Sequence, residues 1–167
     1  MDENSQKYEG FTKGLALTDL VPVLLFGISG AAAAKIFPDR LFKAGVALCT
    51  AAGACKVIWK FLLAGTNRDR SWLNRAFRIG MPCGFAAVLA GFAVHRDAAG
   101  RLLRQAASGS GGIFFRLCGL GIAAMSVLKV RLDGKSARDN WIEQSVNIFA
   151  QSMMFLGIKR MLNEKTD

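Results

Sequence analysis

Asp19 stands inside an apolar stretch that begins near Leu15, and Lys43, Lys56, Lys60, Arg116 and Lys129 stand within or beside other apolar stretches. A carboxylate or ammonium in hydrocarbon is costly, so each such residue either serves a path for a solute or proton or holds a helix end at the headgroup level. For Asp19 the second reading is a first-turn residue favoured by the positive end of the helix dipole. For the bases it is snorkelling. Lys43 and Lys56 bracket a dozen apolar residues, about 18 Å of helix at 1.5 Å per residue, so their stems could reach opposite interfaces. A different outcome follows if Phe37 to Leu41 forms a bend, because the returning helix then brings Trp59 and Lys60 level with Asp19. An ion pair from Asp19 to Lys60 or Lys56 is expected from that geometry, which makes Asp19, Lys56, Lys60 and Arg116 the candidate intramembrane charges.

Other chemistries lack their parts. The chain has one histidine, and its four cysteines lie in apolar runs without ligand spacing, as small packing residues do, so neither a metal nor a cofactor is expected. His95-Arg96-Asp97 spells the catalytic-loop tripeptide of protein kinases, but no glycine-rich nucleotide loop or metal-binding aspartate accompanies it. With no nucleophile beside a base and no paired carboxylates in the apolar segments, the chain does not read as an enzyme.

The elements that must position these charges are long apolar runs. Half of the 167 residues are hydrophobic and the mean hydropathy is +0.29, more than a solvated domain of this size needs. Runs near 15–37, 41–63, 77–94 and 113–130 each match the roughly 20 residues that cross a hydrocarbon core. The fold expected is all-α, a multi-pass transmembrane bundle of four apolar helices and a fifth, amphipathic helix that also spans. The formal charge of +10 sits between the runs, where bases contact lipid headgroups, and no nucleic-acid-binding motif accompanies it.

In order, residues 1–14 form a polar tail without the features of a cleaved signal peptide. A first helical hairpin covers 15–63, a second covers 77–130, and a C-terminal helix covers 141–162, all in one membrane domain. Leu41 to Lys60 resembles Phe114 to Arg131: Lys43 matches Arg116, Lys56 matches Lys129, and Pro22 and Pro82 precede the two copies. The pattern suggests a duplicated hairpin. Pro22 removes its own amide donor opposite Thr18, so a kink is expected beside Asp19. Residues 65–78 read as a basic loop and entry helix with Ser71 as its cap, and 95–112 as a linker.

Gly80, Gly84, Ala87 and Gly91 share one helical face, a seam on which another helix can approach closely. Short helices with glycine seams leave little interior for one chain, so this face is expected to contact a second copy or another membrane protein. On the last helix Gln144, Asn147 and Gln151 form a narrow polar stripe that a spanning helix would aim at its neighbours or at a wet cavity. With five crossings the bases divide almost evenly between the two sides and orientation stays open. With the last helix lying on the surface, both termini would be cytoplasmic.

Two functions are compatible with these features. One is a small channel or transporter in the bilayer, for which repeats, proline-broken helices and embedded charge all speak. Because positive groups outnumber carboxylates near the apolar segments, its solute would be a small anion. The other is a non-catalytic structural or regulatory subunit of a larger membrane complex.

Overall fold

Thr12 closes the polar leader by accepting the Leu15 amide on its hydroxyl at 3.2 Å, and the first helix starts there. Asp39 starts the second helix in the same way, with Oδ1 accepting from Phe42 N at 2.7 Å. The structure is a computed structural model that describes residues 12–66, 69–132 and 136–164. The described residues form six helices and no strand: α1 (Lys13–Ile36), α2 (Arg40–Thr66), α3 (Ser71–Val94), α4 (Arg96–Ser108), α5 (Gly112–Arg131) and α6 (Ala137–Asn163). The polar tail with Tyr8 and the turn at 133–135 lie outside them.

The fold is a transmembrane helical bundle. Helices α1, α2, α3 and α5 are long and apolar enough to cross a membrane. Helix α6 is too polar to join them on composition, yet it runs the length of the bundle antiparallel to α5. Asn140 lies at one end against α2, Gly121 of α5 faces Ala150 midway, and Gly111 faces Gly157 at the far end. We call the end where α1 begins and α2 and α5 finish the proximal end, and the other the distal end. Trp72 and Trp141 are exposed at the proximal end, where amphipathic rings suit a headgroup layer.

Only three residues separate α1 from α2, so the two return side by side as an antiparallel pair. Their contact uses small residues: Gly27 lies on Thr50, Gly30 on Val46 and Gly53 on Val23. Pro22 and Pro82 are both carried inside uninterrupted helices.

The most extensive packing is between α2 and α3, and it corrects the expected role of the glycine seam. A Cβ at Gly80 would lie 2.8 Å from the Ala52 Cβ, one at Gly84 would collide with Cys49 Sγ and the Gly45 carbonyl, and one at Gly91 would lie 2.5 Å from Asp39 Oδ1. The face is therefore filled from within the chain. The complementary small residues Gly45, Cys49 and Ala52 on α2 let two backbones approach as closely as a dimer would, so α2 takes the place assigned to another molecule.

Two further expectations change. The stretch read as a linker at 95–112 is mostly α4, because Ala98, Ala99 and Leu102 make an apolar face that packs on Phe37, Phe42 and Phe92. The second hairpin, 77–130, thus holds a helix in its bend, and its long helices choose different neighbours, α3 packing on α2 and α5 on α6. At the start of α3, Arg70 rather than Ser71 occupies the cap position and makes no side-chain cap bond.

Candidate functional site

Six residues into α1 and six before the end of α2, antiparallel packing sets Asp19 and Lys60 at one depth, about 9 Å inside the helix ends at 1.5 Å per residue. Lys60 Nζ forms an ion pair with Asp19 Oδ2, and the two side chains are 2 % and 3 % exposed. Lys60 also donates to Asn140 Oδ1 at 2.9 Å, while Asn140 Nδ2 donates to the Ser136 carbonyl at 2.9 Å, which turns the amide oxygen towards the lysine. One buried cluster therefore ties α1, α2 and α6 together. Beside it, Trp59 packs with Leu63 and Leu73, and its indole N–H donates to Asp69 Oδ1 at 2.8 Å.

Asp19 also borders a cavity of 280 Å³ lined by all five long helices. Its back wall is polar: Asp19 from α1, Thr50 and Lys56 from α2, and Glu143, Gln144, Asn147 and Gln151 from α6. Its front wall is mainly apolar, with Phe77, Met81 and Phe85 from α3 and Ile122 and Met125 from α5, while Ser126 and Lys129 of α5 add polar groups nearer the proximal end. The charged groups lie in the proximal part. The deepest lining residues, Cys49, Thr50, Phe85 and Gln151, carry none and lie about 20–25 Å from that end by helical rise. Beyond them the bundle is packed: Gly45 meets Gly84, and the rings of Phe37, Phe42 and Phe92 stack edge to face or tilted at 5.1–5.6 Å.

The candidate charges thus separate. Lys56 is half-buried, with Nζ 5.1 Å from the centre of the Phe77 ring, a cation–π contact at the cavity wall rather than a stem extended along the outside of the bundle to the interface. Arg116 is exposed at the distal end, where Nη2 donates to the Ala107 carbonyl at 3.5 Å, and Lys43 is exposed beside an outer groove of α1 and α2. Neither lines the cavity. The stripe Gln144, Asn147, Gln151 does. Gln144 is 1 % exposed, and Gln151 Oε1 is buried without a hydrogen-bond partner among the described residues.

Asn140 and Glu143 were hidden in a segment that reads as a turn and a helix start. The signal that finds Asn140 is the spacing four, three, four from Asn140 through Gln144 and Asn147 to Gln151, which extends the stripe by one turn to the lysine. Glu143, three residues after Asn140 and four before Asn147, borders the same stripe and lines the cavity with it. Among the described residues no group of three or more His, Cys, Asp or Glu could hold a metal ion. Comparison with protein-family models, with curated proteins and with solved structures returned no match.

Proposed function

We propose that the protein binds a small anionic solute in the central cavity and moves it across the bilayer, as a transporter rather than an open channel. The observation that carries the reading is a cavity inside a membrane bundle, with Lys56, Lys129 and Glu143 towards one end and closely packed helices beyond its uncharged other end. A buried polar atom without a partner, such as Gln151 Oε1, is unfavourable in an apolar surrounding unless something occupies the space it faces. The sign of the solute follows from the charges that remain free to meet it. Asp19 and Lys60 neutralise each other, so the half-buried Lys56 and the exposed Lys129 stand against Glu143, an excess of one positive charge on the cavity lining. The closed distal half calls for alternating access, in which the packing of α2 on α3 would have to rearrange.

The test is reconstitution of the full chain into liposomes, with flux measured for a panel of small anions and cations under a gradient. A charge-assisted contact contributes about 1.5–3 kcal/mol, so Lys56→Gln and Lys129→Gln should each weaken apparent anion affinity roughly 10- to 100-fold. Arg116→Gln should behave as the parent. Clear cation selectivity would overturn the assignment. A protein that moves none of the solutes would instead fit the role of a non-catalytic subunit of a membrane complex.

A further inference from the structure

The ring of helices around the cavity is not closed. Helix α3 packs on α2, α2 on α1, α1 on α6 and α6 on α5, but α3 and α5 do not pack extensively on each other although both line the cavity. Helix α4 bridges them only at the distal end, so above it a gap faces the bilayer. The residues beside this gap are apolar: Phe85 and Ile122 are 47 % and 54 % exposed, and Met81 and Met125 are half-buried. Solvent-filled entrances to ion sites are polar, whereas this side has the composition of a surface that meets acyl chains.

The chemistry of the cavity also changes with depth. Lys129, Glu143 and Lys56 lie in its proximal part, and the uncharged residues continue towards the middle of the bundle. That is the profile of a lipid standing in its own leaflet, with a charged head near the interface and a chain directed to the midplane.

We infer that the anion bound by Lys56 and Lys129 is the phosphate head of a lipid that enters sideways between α3 and α5, its acyl chain lying in the gap beside Phe85 and Ile122. The inference rests on the proposed function and deepens it, since the anion is then presented from the membrane and not only from water. Gln144, which lines the cavity at the depth of these charges, offers its amide to the polar part of the head.

The full chain is reconstituted into phosphatidylcholine vesicles containing a trace of phosphatidylglycerol with a photoreactive group in mid-chain. Matched vesicles carry the same photoreactive chain on phosphatidylcholine. After illumination, labelled peptides are mapped by mass spectrometry. The expected result is labelling concentrated at Met81, Phe85, Ile122 and Met125 with the anionic lipid. In a Lys56→Gln, Lys129→Gln double variant it should fall to the level of the zwitterionic lipid, with the helical circular dichroism unchanged. Excess free inorganic phosphate is a separate arm. If phosphate is transported or bound with a lysine dependence while the lipid labels the outer residues Leu24, Ile28 and Leu89 equally, the lipid assignment is wrong and the solute reading survives. If lipid labelling ignores the lysines and no anion moves, both readings fall.

Discussion

Removing Lys60 should cost more than removing its partner, and the reason lies in who else each group touches. Asp19 is 3 % exposed, and among the described residues its Oδ2 has no hydrogen bond beyond the ion pair with Lys60. Lys60→Met therefore leaves a buried carboxylate without compensation, which typically costs about 3–5 kcal/mol. Asp19→Asn keeps an oxygen at nearly the same place and leaves Lys60 its bond to Asn140, so the expected cost is about 1–2 kcal/mol. Removing both charges leaves no unpaired ion, and the double variant should cost about 2 kcal/mol, less than Lys60→Met alone. The sum of the single effects then overshoots the double by about 3 kcal/mol. Equilibrium unfolding in mixed detergent micelles, followed by circular dichroism and tryptophan fluorescence, provides the cycle. If Lys60→Met proves no more costly than Asp19→Asn, or if the two effects add, the pair is not the buried unit described here.

Other consequences concern different parts of the bundle. Gly84→Leu should destabilise the single chain by about 3 kcal/mol, the upper end of the usual overpacking cost, because its side chain has nowhere to go beside Cys49 and the Gly45 carbonyl. Normal stability with a changed native mass would return the seam to an intermolecular role. At the distal end, Ser110 bonds the Glu164 carboxylate through its hydroxyl and through its backbone N–H, the latter at 2.8 Å to Oε1, and holds the acid below the ordinary carboxylate range. A lowered folded pKa means that this contact is complete above the ordinary carboxylate value and is lost as pH falls through the lowered one. Hydrogen-exchange protection factors at Ser110 should fall over that acidic interval, and Glu164→Gln should remove the pH dependence.

The lengths of the apolar runs are a property of the chain alone, because a bilayer accepts only helices with their backbone bonds satisfied internally. The ion pair of Asp19 with Lys60 was legible for a related reason: a bend of a few residues leaves the returning helix one place to go, so depth follows from counting. The polar stripe of α6 was legible through its 3.6-residue period, and its full extent to Asn140 was obscured only by the turn-like composition before Trp141. Helix α4 was masked by Gly100 and by the Ser and Gly residues that follow it, although its apolar face repeats at helical spacing.

What the tertiary structure decided is which helices become neighbours. In lipid, an apolar face gains little by meeting another apolar face, so partners are selected by close fit between small residues. This chain has several small-residue faces, on α1, α2, α3 and α5, and their spacing does not say which pairs match. The match of Gly80 to Ala52, of Gly84 to Cys49 and Gly45, and of Gly91 to Asp39 and Phe42 commits α3 to α2. Helix α5 is left to α6, and a gap remains between α3 and α5. That choice also sets Glu143 and Lys129 on the same cavity as Lys56 and leaves Arg116 and Lys43 outside, so the charge of the cavity was a consequence of helix pairing before it was a property of any residue.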